Sequence, residues 1–472
     1  MMLNFVIQFI QKSMKTVLTY ILALFVLNNF VYSQGETADD WKPLFNGNDL
    51  SDFQILNGQV EFKLKDGIII GYSKYGQRNS FLATKKTYSD FILEFEVKIE
   101  NGLNSGVQFR SLSFPEYANG AVHGYQCEIE TSSRKWAGGI YDESRRGWLY
   151  PLSRNKKGQH AFIPGQWNHY RIEAIGNVLR TYVNEIQCAN LVDDLTAEGF
   201  IGLQVHSIQN KDLEGTKVMW RNLRIATTNL EKLRHPSYDY APEINLIDGQ
   251  LTTLEKRKGW RFLWDGKTTK GWRGAQLEGF PKQGWKIENG ILTVEASDGG
   301  ESTNGGDIVT VDSYSNFELS LDFKMTEGAN SGIKYFVDTN LNQGEGSSIG
   351  LEFQILDDKR HPDAKQGKNG NRTIGSLYDL IRAESHSIGS GKRYSTTGWN
   401  NARIVAKNGR IEHWLNHIKV VEFDRFSQLF GALVEKSKYE KWGDFGRLHH
   451  GLILLQDHGN EVHFKNIKIR EF

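Results

Sequence analysis

The sequence predicts an all-β protein built from two tandem β-sandwiches. Its 472 residues exceed what one ordinary hydrophobic core holds, so two domains are expected. Glycine is abundant (48) and proline is scarce (8), which is typical of strands joined by tight turns. Segments that alternate apolar and polar residues, such as "ILEFEVKI" (92–99) and "HYRIEAI" (169–175), recur between NG, GN and DG pairs. Two packed sheets would bury the apolar rows between them.

The charge balance and the N-terminus narrow the functional class. The chain has 57 basic and 56 acidic residues, so it has no charge excess to attract nucleic acid. Lys12 and Lys15 precede an apolar run (16–31) that is shorter than the roughly 20 residues of a spanning helix. We therefore expect residues 1–33 to be a cleaved signal peptide of a secreted or periplasmic protein without a membrane anchor. Export would permit a disulfide between Cys127 and Cys188, although two buried thiols fit equally well.

An internal repeat organises the rest of the chain. Residues 91–110 match residues 317–336 almost position for position, and residues 166–184 match residues 398–416. Seven such blocks occur twice in the same order, which indicates a tandem duplication. The repeat predicts a first domain over 36–227, a linker over 228–258 and a second domain over 259–472.

Several of these blocks carry a family resemblance. They are "LFNGNDLSDF" (44–53), "NSGVQFR" (104–110), "GGIYD" (138–142), "GLQVH" (202–206) and "SSIGLEFQILDDKRHPDAKQGKNGNRTIGSLYDLI" (347–381). Together they resemble the 3-keto-disaccharide hydrolase family, also described as 3-keto-glucoside 1,2-lyases and hydratases. The resemblance implies two tandem concanavalin A-like jelly-roll sandwiches. It also implies action on an oligosaccharide or glycoside whose carbon 3 has been oxidised to a ketone by a partner oxidoreductase.

The chemistry of such a substrate defines the groups that the site needs. A ketone at carbon 3 acidifies the hydrogen on carbon 2, so a base can remove it while the aglycone leaves carbon 1. An electrophile must stabilise the enolate oxygen, and a divalent cation is one candidate for that role. Addition of water to the unsaturated sugar would complete a net hydrolysis of the glycoside.

One strand in each repeat supplies a carboxylate and an amide. When the repeats are aligned on their shared glycine, Gln126 corresponds to Glu352 and Glu128 corresponds to Gln354. In each half the two side chains are two residues apart, so an extended strand places them on one face. They either bind sugar hydroxyl groups or form an ordinary solvated strand surface.

Other candidates recur in both halves. His206 and His458 follow a glutamine by two residues in the closing strand, and histidine suits a base or a metal ligand, although it is often only hydrogen-bonded. Tyr141 and Tyr378 either contact a sugar ring or belong to the core. The predicted catalytic residues are Glu352, His458, Tyr378, Glu128 and His206. The predicted substrate-binding residues are Gln354, Gln456, Asn330, Lys334, Arg372, Gln126, Gln204, Gln108 and Tyr141.

Two local features leave alternatives open. The "NSG" triplets (104–106 and 330–332) are expected to be plain turns, or else bulges that direct Gln108 or Lys334 into a cleft. Acidic residues and a histidine follow the second-half strand, so Glu352, Asp357 and His361 are candidate ligands for a divalent metal ion. The irregular spacing also fits a solvated loop.

Two other functional classes compete with cleavage of a 3-keto sugar. A retaining endo-glucanase would need two carboxylates about 5 Å apart, but "EIET" (128–131) lacks the later acid of that pattern, and "QILDD" (354–358) departs further from it. A non-catalytic carbohydrate-binding protein is the second alternative. We expect the second half to be catalytic and the first half to be a second active site or a binding module.

Overall fold

The computed structural model describes residues 40–297, 300–342, 346–384 and 394–472. The predicted signal peptide, residues 1–33, lies outside this part of the chain. Among the described residues, no helix is long and apolar enough to cross a bilayer.

The first half of the chain forms two sheets. Their strands are β1 (Trp41–Pro43), β2 (Phe53–Asn57), β3 (Phe62–Lys65), β4 (Ile68–Tyr72), β5 (Ser80–Thr84), β6 (Phe91–Ile99), β7 (Asn104–Leu112), β8 (His123–Glu130), β9 (Ile140–Glu143), β10 (Gly147–Tyr150), β11 (Asn168–Ile175), β12 (Val178–Val183), β13 (Ile186–Val192), β14 (Phe200–Val205), β15 (Lys217–Ala226) and β16 (Ile244–Asn245). Sheet 1A has the order β16-β13-β12-β11-β6-β15-β4-β3, and β1 also pairs with β15. Sheet 1B has the order β10-β9-β8-β7-β14-β5-β2.

The second half repeats this arrangement. Its strands are β17 (Arg261–Phe262), β18 (Trp272–Gly274), β19 (Trp285–Glu288), β20 (Ile291–Val294), β21 (Ile308–Thr310), β22 (Phe317–Met325), β23 (Asn330–Asp338), β24 (Ile349–Leu356), β25 (Asn400–Lys407), β26 (Arg410–Leu415), β27 (Ile418–Asp424), β28 (Leu452–Leu455) and β29 (Val462–Glu471). Sheet 2A has the order β19-β20-β29-β22-β25-β26-β27, with β17 on β29, and sheet 2B has the order β18-β21-β28-β23-β24.

Helices are short and lie between strands. The described α-helices are α1 (Leu230–Leu233), α2 (Thr253–Arg257) and α3 (Gln428–Val434), and the 3-10 helices are Leu152–Arg154, Gly158–His160, Lys211–Leu213 and Pro362–Lys365. The segment predicted as a linker contains α1, α2 and β16, which pairs in parallel with β13. It therefore extends sheet 1A before the second half begins.

The core of each half lies between its two sheets. In β6, Phe91, Leu93 and Phe95 enter a buried cluster, and they meet Val107 and Tyr125 from sheet 1B. A separate cluster joins sheets 2A and 2B. Because strand residues alternate between faces, the period-two pattern of the sequence is enough to create this arrangement. The predicted fold class, all-β with two tandem jelly-roll sandwiches, is confirmed.

The two cysteines and the contact between halves complete the framework. Cys127 and Cys188 are both buried free thiols. Where the halves meet, the Ser153 hydroxyl donates a hydrogen bond to the His417 carbonyl oxygen at 2.6 Å. The first half therefore packs directly on the second through hydrogen-bonded groups.

Candidate active site

Sheet 2B carries a row of polar side chains on the face that points away from the core. Lys334 on β23 lies opposite Glu352 on β24, and Gly332 lies opposite Gln354. Their neighbours Ile333 and Phe353 enter the core, so alternation directs the polar row outward. The structure thus brings together Lys334, Glu352 and Gln354, as the sequence predicted.

Gly332 leaves the space that the Glu352 carboxyl occupies. A Cβ atom at this position would lie 2.4 Å from Glu352 Oε1. Gly106 has the same relation to Gln126 in the first half, where a Cβ atom would lie 2.4 Å from the side-chain amide carbon. The expected turns at the two "NSG" triplets are wrong, because each triplet begins a strand, β7 or β23, and the register irregularity comes later in that strand.

The Glu352 carboxyl is buried beside a cation. Glu352 is 5% exposed, and its Oε2 lies 3.8 Å from Lys334 Nζ. With its amide nitrogen facing the carboxyl, Gln354 donates a hydrogen bond to Glu352 Oε1 at 3.0 Å. Burial raises the pKa of Glu352 above its usual range, although Lys334 and Lys438 oppose the increase. A carboxylate whose pKa is raised toward ambient pH is a stronger base than an exposed one.

Lys334 is held by a chain of hydrogen bonds. Its Nζ donates to the Ser347 hydroxyl and, at 3.2 Å, to the Ser348 carbonyl oxygen. Ser347 in turn donates to Asp307 Oδ2 at 2.5 Å. Asp307 is buried, and it also accepts a hydrogen bond from the Asp457 backbone N–H at 3.0 Å. These contacts hold the ammonium group in place beside Glu352.

A segment that the first half lacks borders this site. The connection between β27 and β28 spans residues 425–451, whereas the corresponding connection between β13 and β14 spans only residues 193–199. We call residues 425–451 the cover segment. Phe430, Tyr439 and Phe445 bury it in the second-half core, where the rings of Tyr439 and Phe445 stack with centroids 4.0 Å apart.

The cover segment forms one wall of an open cavity next to Lys334. The cavity has a volume of about 220 Å³, and its lining includes Glu301, Lys334, Ser347, Lys438, Lys441 and Trp442. Trp442 Nε1 donates a hydrogen bond to the Leu341 carbonyl oxygen at 3.0 Å, which attaches the segment to the loop after β23. A small polar group of a ligand fits this space.

Tyr378 and Arg372 form a separate hydrogen-bonded group at the rim. The Tyr378 hydroxyl donates to Asp363 Oδ2 at 2.8 Å. Arg372 donates to Asp363 and to Asp379, each at 2.8 Å. Burial, followed by the charge of Glu352, raises the pKa of Tyr378. This tyrosine is therefore a weak acid whose proton is already donated to Asp363.

Gln456, His458 and Asn330 border the same face. Gln456 and His458 lie just beyond the end of β28 at Leu455, so the prediction that they belong to the closing strand is wrong. Gln456 Nε2 donates to Glu301 Oε1 at 3.0 Å. His458 is half-buried, and its ring centroid lies 6.2 Å from that of His361. The Asn330 side chain lies 3.1 Å from the amide of Gln354.

The three candidate metal ligands are not gathered into a site. Asp357 accepts hydrogen bonds from the backbone N–H groups of Gly328 at 2.9 Å and Lys359 at 3.1 Å, so it stabilises its own loop. Within the described residues, no cluster of three or more His, Cys, Asp or Glu side chains is arranged to hold an ion. Glu352, Asp357 and His361, the candidate metal ligands, are therefore not arranged as a three-ligand site in this part of the chain.

The first half has the same layout with different groups. Gln108 stands where the second half has Lys334, and its Nε2 donates to Gln126 Oε1 at 2.6 Å. Gln126 donates to Glu128 Oε2 at 3.1 Å, and Asn104 donates to Glu128 Oε1 at 2.6 Å. Burial, followed by Glu130, raises the pKa of Glu128 to about 7. This half has a buried carboxyl without a lysine beside it.

The remaining first-half candidates lie around this amide cluster. Gln204 is fully buried, and neither its side-chain nitrogen nor its side-chain oxygen has a hydrogen-bond partner among the residues that the structure describes. Tyr141 lies opposite Gln126 in register, with its ring 5.4 Å from Trp148. His206 lies just after β14, its Nδ1 is 2.7 Å from the Ser207 carbonyl oxygen, and burial lowers its pKa.

Sequence analysis missed several residues of the second-half site. They are Glu301, Asp307, Ser347, Lys438 and Lys441. The signal that would have found the lysines is the extra length of the cover segment, where "SKYEKW" (437–442) pairs lysines with aromatic residues. Asp307 and Ser347 have no comparable signal, because they reach the site only through the fold.

Comparisons with known proteins place these features in a family. Residues 40–226 and 259–470 match the profile of the 3-keto-alpha-glucoside-1,2-lyase-like domain. The chain is 34% identical over 232 residues to a 3-keto-disaccharide hydrolase from Bacteroides thetaiotaomicron, covering 45% of this chain and 78% of that protein.

Two solved structures from Parabacteroides distasonis, both candidate glycosyl hydrolases, are also similar. The first is 31% identical, covers 48% of this chain and 100% of its own, and has a TM-score of 0.42. The second is 25% identical, covers 45% and 99% respectively, and has a TM-score of 0.32.

Proposed function

This chain belongs to the 3-keto-alpha-glucoside-1,2-lyase-like domain family, and we propose that its second half cleaves glycosides whose carbon 3 is a ketone. The observation that carries the proposal is the pairing of a buried carboxyl, Glu352, with a buried ammonium group, Lys334, at 3.8 Å. Elimination next to a ketone needs a base and a cation near the developing enolate, and this pair supplies both.

The first step is an elimination. Glu352 takes the proton from carbon 2, the carbon 1–oxygen bond breaks, and a double bond forms between carbons 1 and 2. Lys334 stabilises the negative charge on the carbon 3 oxygen. His458, which follows β28 by three residues at the border of this face, gives a proton to the departing aglycone oxygen. Tyr378 is a poorer choice for this role because its proton is donated to Asp363.

The second step adds water. Its hydroxyl group bonds to carbon 1, and Glu352 returns its proton to carbon 2, while the remaining proton of the water restores His458. The sum of the two steps is hydrolysis of the glycoside, which gives a free 3-keto sugar and the aglycone. We further propose that the substrate comes from an oxidoreductase acting before this enzyme, and that residues 1–33 direct export to the periplasm or the medium.

The test compares matched variants on two substrates. The full chain should cleave a 3-keto disaccharide and leave the unoxidised disaccharide intact. Glu352→Gln should lower the rate by about 10²- to 10⁴-fold, the usual contribution of a general base. Glu128→Gln, which changes the buried carboxyl of the first half, should leave the rate within about twofold of wild type, because only the second half is assigned the chemistry.

The alternatives give different results. Cleavage of the unoxidised sugar would identify a glycosidase of the two-carboxylate type. Binding of sugar without turnover of either substrate would identify a carbohydrate-binding protein. Wild-type activity in a well-folded Glu352→Gln variant would show that Glu352 is not the base.

A further inference from the structure

Two lysines of the cover segment project toward the cavity without a carboxylate partner. Lys438 Nζ lies 4.3 Å from the ring centroid of Tyr378, and Lys441 Nζ lies 4.1 Å from that of Trp442. Among the described residues, no Asp or Glu oxygen is within ion-pair distance of either amino group. Aromatic rings position an ammonium group but do not neutralise it.

The cavity consequently holds an excess of positive charge. Its charged lining residues are Lys334, Lys438, Lys441 and Glu301, and the Glu352 carboxyl pairs with Lys334, so three cations face two carboxyl groups. Desolvation lowers the pKa of Lys438, and Lys334 adds to this effect while Glu352 opposes it. Lys438 and Lys441 are exposed at the mouth of the cavity and Lys334 lies at its buried end, so three like charges face one space and a bound anion would be favoured there.

The excess is local and specific to the second half. The whole chain has a net charge of only +1, so no general attraction to polyanions explains it. The first half has no counterpart of the cover segment, because its connection spans only residues 193–199. The segment is also anchored, since Tyr439 is buried against Phe445. These lysines are therefore held at a defined position beside Glu352 and Lys334.

We propose that Lys438 and Lys441 select substrates carrying an anionic group, a carboxylate being the simplest, which occupies the cavity while the 3-keto ring lies at Glu352. This inference rests on the proposed function and adds the substrate class. A cavity of about 220 Å³ accommodates a carboxylate and a few neighbouring atoms, so the anion belongs to a small substrate.

The experiment measures kcat/KM on two matched substrate pairs. One pair has a 4-carboxyphenyl or a 4-carbamoylphenyl aglycone on 3-keto-glucose, and the other compares a 3-keto-glucuronide with the 3-keto-glucoside. The wild-type enzyme should prefer the acidic member of at least one pair by about fivefold, a typical value for an exposed charge pair, mainly through KM. The preference should fall in 0.5 M salt, where the Debye length is only about 4 Å.

Variants assign the effect to residues. Lys441→Met should reduce the preference toward unity. Lys438→Met should do the same when both substrates are compared on the plateau of its own pH profile, because Lys438 also lowers the pKa of Glu352. Lys436→Met is the matched control, because Lys436 is an exposed lysine of the same segment that does not line the cavity. It should retain the full preference.

Several outcomes would overturn the inference. Equal kcat/KM values within both pairs would refute it, as would loss of the neutral-substrate rate in both lysine variants, which would assign these lysines to the reaction itself. If the enzyme cleaves no 3-keto substrate, the proposed function is refuted and the inference needs a test that does not depend on turnover. Calorimetry with glucuronate and glucose then decides the inference separately: tighter binding of glucuronate that Lys438→Met abolishes supports it, and equal binding refutes it.

Discussion

Replacement of Gly332 by alanine is the sharpest test of the site, because it moves one carboxyl group without removing it. The new Cβ atom would lie 2.4 Å from Glu352 Oε1, whereas ordinary contacts begin near 3.4 Å. The carboxyl must therefore shift by about 1 Å, which is enough to cost about 10²-fold in rate when the shifted group is the base. Overpacking of this kind should lower the free energy of unfolding by about 1–3 kcal/mol.

Gly106→Ala provides a matched control in the same structural position of the other half. Its Cβ atom would lie 2.4 Å from the side-chain amide carbon of Gln126, so that side chain must also move. The two variants should therefore lose similar stability in urea denaturation, but only Gly332→Ala should lose turnover of the 3-keto disaccharide. A Gly332→Ala enzyme with wild-type kcat, or an equal loss in Gly106→Ala, would show that Glu352 is not at the reacting centre.

Three further predictions follow from the charges. Lys334 lowers the pKa of Glu352, so Lys334→Met should shift the acid limb of the kcat/KM profile to higher pH and reduce the plateau by about 10²-fold; an unmoved limb would separate the lysine from the base. Burial raises the pKa of Glu128 to about 7, so the folded state favours the protonated carboxyl. The free energy of unfolding of the wild type should therefore decrease as the pH rises from 4.5 to 7. Glu128→Gln should flatten that fall in denaturation curves, and an unchanged slope would contradict the assignment. Although burial opposes it, Arg403, Arg154 and Arg470 lower the pKa of Glu318 to about 2, so its contribution is present above pH 4.5 and lost as the pH falls toward 2. Glu318→Gln should cost about 3–5 kcal/mol at pH 7, as loss of one partner from a buried ion pair does; a melting temperature equal to wild type would refute it.

The sequence predicted the fold and the shared face of Glu352 and Gln354 because both depend on local periodicity. Alternation in β24 determines that Glu352 and Gln354 share a face, and the structure adds that β23 pairs with this strand and places Lys334 opposite Glu352. The family resemblance, which spans both halves, is confirmed by the matching profile. These features are encoded within stretches of a few residues, so they can be read without knowing the tertiary structure.

The rest of the site depends on long-range packing. The cover segment has no counterpart in the first half, so the duplication gave no information about where it lies. Its lysines reach the cavity only because Phe430 and Tyr439 enter the core. Asp307 meets Ser347 across 40 positions of sequence, and their contact has no local pattern. The hydroxyl of Tyr378 likewise finds Asp363 through the fold of an irregular loop.

A buried carboxyl is not by itself a catalyst, and the two halves of this chain show why. Glu128 and Glu352 are both desolvated, and desolvation raises the pKa of each. Two things differ. The first-half carboxyl, Glu128, stands opposite Gly106 at the position of Gln354, and an amide, Gln108, stands where the second half has the ammonium group of Lys334 beside Glu352. Proton removal next to a ketone moves negative charge from carbon 2 to the carbonyl oxygen. The base is therefore effective only if a cation lies close enough to stabilise that oxygen. Duplication preserved the scaffold, and the chemistry is assigned to the second half because only there does a carboxyl stand directly opposite a lysine on the paired strands.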